Sequence, residues 1–124
     1  MKPEKGPIGS ISTLAASAEN IIGNLTLVMP RTITITARVK YNAAASQGLK
    51  VKLFFSPDGE NYDTVAYTSF DVNFSAGAAV QETKIIDAPE TGYLRISVQN
   101  LDTGQSATGI KVWTTIQEWG KKSS

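Results

Sequence analysis

The sequence predicts an all-β domain, an antiparallel β-sandwich of about seven strands, immunoglobulin-like or jelly-roll-like, behind an extended N-terminal arm. Three observations predict it. Apolar residues recur with a period of two through most of the chain. Turn signals return at intervals of about ten residues. No segment carries a convincing helical period. A lone sheet of this size would leave one apolar face wet, so two sheets must close on each other, with a partly closed barrel as the alternative.

Residues 1–10, which include Pro3, Gly6, Pro7 and Gly9, read as the arm, residues 11–120 as a single domain and 121–124 as a frayed tail. Ile11 to Ala18 suits a strand or a short helical stretch, Ser17 to Ile22 has a faint helical alternative, and Pro30 stops whatever precedes the next strand. From Thr32 to Asn42 the alternation is cleanest. Ile33, Ile35, Ala37, Val39 and Tyr41 fall on one side, and Thr32, Thr34, Thr36, Arg38 and Lys40 on the other. Leu49, Val51, Leu53 and Phe55 repeat the pattern against Lys50, Lys52 and Phe54, and Ser56-Pro57-Asp58-Gly59 ends that strand in a turn. The spacing then predicts a hairpin return from Tyr62 to about Val72, with a bulge near Ser69 to reconcile two competing registers. Val80 to Ile86 reads as a short strand. Gly92 opens another, with Leu94, Ile96 and Val98 inward and Tyr93, Arg95, Ser97 and Gln99 outward. After the turn Asn100-Leu101-Asp102-Thr103-Gly104, the last strand sets Ile110, Val112, Thr114 and Ile116 against Lys111, Trp113, Thr115 and Gln117.

The 124 residues make room for one domain. With no Cys and no His, thiolate nucleophiles, Ser-His-Asp relays, Cys/His zinc sites and histidine switches are excluded, and catalysis is not expected. No cofactor is expected. The formal net charge of +1 argues against a general nucleic-acid binder. Lys50 and Lys52 with Arg38 and Lys40 would form a basic stripe if their strands were adjacent, but one too small to change that reading. No apolar run is long enough for a membrane helix. Lys2, Lys5 and Ala16-Ser17-Ala18 mimic a secretory signal, yet Gly9, Ser10, Ser12 and Thr13 interrupt its apolar segment, so none is expected.

Two places invite a functional reading. Asp58, Glu60 and Asp63 cluster at the hairpin tip, where turn chemistry is the plain explanation and a calcium loop the alternative. If the last two long strands pair antiparallel, Tyr93, Arg95 and Trp113 share an outward face. Trp119 joins them if the alternation continues, and Phe54 does so from the neighbouring strand. Tyr, Trp and Arg are enriched at interface hot spots. That patch is covered by the chain's own first thirty residues, by a protein partner, or by a stacked sugar.

The segments LKVKLFFSPDGENYDT, AAVQETKI and GYLRISVQNLDTGQ, in that order, resemble small β-sandwich structural proteins of tailed phages and related virus particles. The resemblance covers residues 31–118 and rests on turn chemistry and strand patterning. It transfers no catalytic residue. It implies an assembly role within a virion, as a decoration, tail or fibre subunit that forms a homo-oligomer or larger array. A carbohydrate-binding or adhesion module using surface Trp and Tyr is the alternative, with a glycan as partner.

Overall fold

The computed structural model describes residues 4–27, 31–87 and 92–118. Among them there are eight strands and no helix: β1 (Glu4–Leu14), β2 (Glu19–Leu27), β3 (Arg31–Tyr41), β4 (Leu49–Ser56), β5 (Thr68–Asp71), β6 (Ala79–Asp87), β7 (Gly92–Asn100) and β8 (Ala107–Glu118). They form two four-stranded antiparallel sheets, ordered β1-β8-β3-β6 and β2-β7-β4-β5. The expected count of about seven falls one short.

The pairs are nested: β1 with β8, β2 with β7, β3 with β6 and β4 with β5. A long antiparallel ribbon rolled up on itself gives this order, which is that of a jelly roll and not of an immunoglobulin sandwich. The stretch expected as a free arm is part of it. From Glu4 onward the chain is already β1, hydrogen-bonded along β8 in a register that runs from Glu4 opposite Ile116 to Leu14 opposite Ala107. The helical alternative for Ser17–Ile22 gives way to a tight turn and the start of β2. Ser17 takes a left-handed φ of 61° there, and its N–H donates to the Asp102 carbonyl at 2.9 Å. The tail 121–124 lies outside the described residues.

The inward half of each alternation makes the core. Ile33, Ile35 and Val39 of β3, Leu49, Val51 and Leu53 of β4, Leu94, Ile96 and Val98 of β7, and Ile110 and Val112 of β8 are all fully buried. Burying side chains of this size is worth roughly 1.5–3 kcal/mol each. Tyr41 closes one end of the slab. Its hydroxyl donates to the Val72 carbonyl and accepts the Leu49 N–H, both at 3.2 Å, and its ring lies 5.0 Å from that of Phe74. Burial pushes the Tyr41 phenol up from its ordinary range.

The connection from β7 to β8 decides the topology. Asn100 Nδ2 donates to the carbonyls of Leu14, Ala15 and Gln105, and Asn100 Oδ1 accepts the Asp102 N–H. One Asp102 carboxylate oxygen accepts the N–H groups of Ser46 and Gln47, and the other those of Gly104 and Gln105. These bonds, led by that from Ser46, hold the Asp102 carboxyl well below the usual carboxylate range against the opposing effect of burial. The two buried side chains tie the β1–β2 turn, the β3–β4 loop and the β7–β8 connection into one polar corner. At that corner the chain changes sheets.

Candidate functional site

Because β7 and β8 lie in different sheets, the expected aromatic face does not assemble. Tyr93, Arg95 and Phe54 belong to the sheet of β7 and β4. Trp113, half-buried, stands opposite Thr36 of β3 in the other sheet. Trp119 lies outside the described residues. A turn between two alternating strands reads as a hairpin, but β7 pairs with β2 and β4 while β8 pairs with β1 and β3, so this one is a crossover, and Asn100 and Asp102 hold its corner. The basic stripe is dissolved for the same reason: Arg38 and Lys40 are on β3, Lys50 and Lys52 on β4, and the two strands are in opposite sheets.

On the β2-β7-β4-β5 sheet, Arg95 stands between Phe54 of β4 and Asn24 of β2. What covers it comes from the segment expected to be a return strand. That strand is only β5, four residues paired without a bulge to Leu53, Lys52, Val51 and Lys50. Phe70 and Val72 turn inward, so the register that buries them prevails. Residues 57–67 are a loop instead, for a local reason. The Ser56 hydroxyl accepts the N–H groups of Asp58 and Gly59, and the Asp58 carboxylate accepts those of Glu60 and Asn61 and the Asn61 side-chain amide. Gly59 takes a φ of 80° and packs on the face of the Tyr93 ring. Tyr93 is therefore a support beneath the loop. Beyond the turn, the Asp63 N–H donates to the Phe55 carbonyl at 2.9 Å and the Tyr67 N–H to that of Leu53 at 2.7 Å.

This path lays Tyr62 over Arg95, with the guanidinium carbon 3.9 Å from the ring centroid, a cation–π contact. The result is an open cleft of about 410 Å³ whose walls include Phe54, Ile21, Tyr62, Arg95, Asp63 and Glu19. Glu19 is paired to Lys52 at 3.1 Å. Arg95 Nε is buried and finds no acceptor among the described residues. Ile21 is 54% exposed at the rim. Arg95 and Phe54, which stand out in the sequence, both line this cleft; Tyr62, Ile21 and Glu19 line it too, but the sequence reads Tyr62 into a return strand and nothing local marks a loop that folds back over its own sheet.

The acidic tip does not gather a cation site. Asp58 spends both carboxylate oxygens on the turn. Those bonds, led by the Asn61 N–H, hold its carboxyl well below the usual range. Asp63 lines the cleft, and Glu60 is exposed. Among the described residues no group of three His, Cys, Asp or Glu side chains is placed to hold a metal.

The other sheet is different. Its outer face carries Thr34, Thr36 and Arg38 of β3 beside Ile85, Thr83 and Gln81 of β6, with a Thr36–Thr83 hydroxyl bond of 2.8 Å. Ile85 is 71% exposed. The four sheet edges are unequal. β1 has a register shift between Pro7 and Gly9, β2 has one between Ile21 and Gly23, and β5 is four residues long. β6 runs nine residues with no shift and no proline.

No family model matches the sequence, and no curated protein matches it. Solved structures share the fold. A chain from the structure of infectious bursal disease virus Gx strain superimposes with a TM-score of 0.56 at 12% identity, covering 97% of this chain. This chain spans 33% of that one. A family 16 carbohydrate-binding module gives a TM-score of 0.51 at 12% identity, over 86% of this chain and 74% of that one. The C-terminal family 6 carbohydrate-binding module of a marine laminarinase from Zobellia galactanivorans gives 0.50 at 11% identity, over 92% and 89%. At such identities the likeness is one of fold. Among the described residues no helix is long and apolar enough to cross a membrane.

Proposed function

We propose that this chain is a non-enzymatic assembly subunit of a virion or similar particle, and that it joins a second copy of itself by adding strand to strand along β6. The β6 edge, the longest of the four without a register shift or a proline, carries this reading. Natural sheets blunt exposed edges with bulges, prolines or brevity, because an unpaired row of N–H and C=O groups templates another strand. The other three edges are blunted in those ways, and β6 is not. Its guards are two charges within the strand, Lys84 and Glu82, and two contacts: Glu82 accepts the Asn73 N–H and the Asp87 carbonyl accepts the Tyr67 hydroxyl.

Charge supports an antiparallel, two-fold arrangement. One end of the sheet's outer face bears Arg38, Lys40 and Lys111, and Lys40 stands opposite Ala79 at the start of β6. Exposed Asp87 ends the same strand. A two-fold axis near Thr83 brings Asp87 of each copy towards the basic end of the other, and sets the two Ile85 side chains on one continuous face. A net charge of +1 leaves little repulsion between copies. The fold shared with a chain of a virus structure is in keeping with a particle subunit.

Size-exclusion chromatography with light scattering over a wide concentration range tests this. The expected result is concentration-dependent association that Thr83→Lys and Ile85→Lys abolish, with the fold retained. A strict monomer at every concentration overturns the self-assembly reading.

A second reading, a glycan-binding module, is favoured by one observation on the opposite sheet: the cleft beneath Tyr62. Two of the fold neighbours are themselves carbohydrate-binding modules.

A further inference from the structure

We infer that the Arg95–Tyr62 cleft binds a neutral sugar ring, an inference that rests on the second reading and names its ligand class and contacts. The charges around the cleft cancel. Arg95 and Lys52 stand against Glu19 and Asp63, and Lys52 is already engaged with Glu19. An anionic ligand drawn to Arg95 meets the Asp63 carboxylate, and a cationic one drawn to Asp63 meets the guanidinium. A hydroxyl group suits both, since it accepts from a guanidinium N–H and donates to a carboxylate oxygen. Adjacent hydroxyls on a pyranose reach both partners from one ring.

The apolar groups complete the match. Phe54 on the floor and Ile21 at the rim offer carbon surface to the C–H face of a sugar, and a largely exposed isoleucine beside a charged cleft is the wetting cost that a ligand relieves. Arg95 arrives preorganised. Tyr62 covers one face of its guanidinium at 3.9 Å, which holds the planar fork in place before any ligand enters. Its buried Nε–H has no acceptor among the described residues, so that donor is not tied to a protein carbonyl or carboxylate. A cleft of about 410 Å³ lies within the size range of small-molecule sites.

The test is titration of the full chain, followed by amide chemical shifts and calorimetry, with cello-, laminari- and xylo-oligosaccharides and with oligogalacturonate as the acidic counterpart. Trp113 sits on the other sheet, so indole fluorescence is a poor reporter here. The inference expects saturable binding of at least one neutral probe, with shifts centred on Phe54, Tyr62 and Arg95. Arg95→Ala and Tyr62→Ala should weaken that binding by about tenfold or more, equivalent to roughly 1.4 kcal/mol. Trp113→Ala should keep it. The amide spectrum of each variant shows that it is folded, and Arg95→Lys, which keeps the charge and loses the planar fork, should also bind weakly. Tighter binding of oligogalacturonate than of every neutral probe overturns the ligand class. Saturable binding that survives Arg95→Ala overturns the site but leaves the glycan-binding reading standing. Absence of binding by all four probes overturns both.

Discussion

The two outer faces of this sandwich grow from the same alternation of inward aliphatic and outward polar residues, and they differ in what the chain lays over them. Above β7 and β4, the loop 57–67 folds back. It caps itself through Ser56 and Asp58, rests Gly59 on Tyr93 and stacks Tyr62 on Arg95. The face becomes a cleft with walls, fixed donors and carbon surface. Above β3 and β6 the face stays a plane of Thr34, Thr36, Thr83 and Ile85, and the same loop touches only the far end of β6, where the Tyr67 hydroxyl donates to the Asp87 carbonyl. A concave site selects small ligands by shape and hydrogen bonding, whereas a flat edge selects another strand by main-chain pairing. The two proposed kinds of recognition therefore fall on opposite sheets and invoke different residues.

The sharpest way to break both faces at once is to attack what they share. Ile35→Ala on one sheet and Ile96→Ala on the other each remove a fully buried side chain. Each is expected to cost about 2–5 kcal/mol, read as a lower urea midpoint with an unchanged slope. Transitions that coincide when followed by probes on each sheet mean one common core, and transitions that separate mean that the sheets unfold independently.

Asn100→Ala is expected to cost less, about 1–3 kcal/mol, because the carbonyls of Leu14, Ala15 and Gln105 lose their side-chain donor in a buried corner. Acid acts on the same corner. Folding lowers the carboxyl of Asp102, so its stabilisation is complete above the unfolded value, near pH 4, and is lost as pH falls through the lower folded value. A pH series of urea midpoints should show falling stability below about pH 4, and Asp102→Asn should flatten that acid limb while lowering stability at neutral pH.

The smallest effect separates the faces. Tyr62→Ala should change global stability by only about 0.5–2 kcal/mol, the worth of a half-buried cation–π contact. It should speed amide exchange in the loop 57–67 and leave association along β6 untouched. If association changes as well, the two faces communicate and the comparison fails.

Much of the architecture was legible. Ile33 to Val39, Leu49 to Leu53, Leu94 to Val98 and Ile110 to Val112 declared their inward sides by period alone, and Ser56-Pro57-Asp58-Gly59 declared its turn. These are local signals, since alternation and turn chemistry are written within a few residues. The site was legible only in pieces. Arg95 and Phe54 stood out as bulky outward residues, but Trp113 was assigned to their company and Tyr62 was not. The error lies in one inference, that β7 and β8, joined by a turn, must pair. Neighbours in sequence often do, but the buried Asn100 and Asp102 take hydrogen bonds from the β3–β4 loop and give them to the β1–β2 turn, and the chain crosses over. The first strand was hidden for a similar reason. Pro7 and Gly9 suggested an arm, and only the presence of β8 alongside makes Glu4–Leu14 a strand.

The amino-acid sequence by itself determined that this is a two-sheet β protein, which residues enter its core, where its main turns fall, and that no thiol or imidazole chemistry is open to it. The tertiary structure alone decided which strands became neighbours, that Trp113 and Arg95 face away from each other, that Tyr62 roofs a cleft, and that β6 is the long edge strand without a register shift. The division is physical: the facing of a side chain along a strand depends on its immediate neighbours, whereas a shared surface depends on contacts between residues far apart in the chain, which exist only once the sheets have closed.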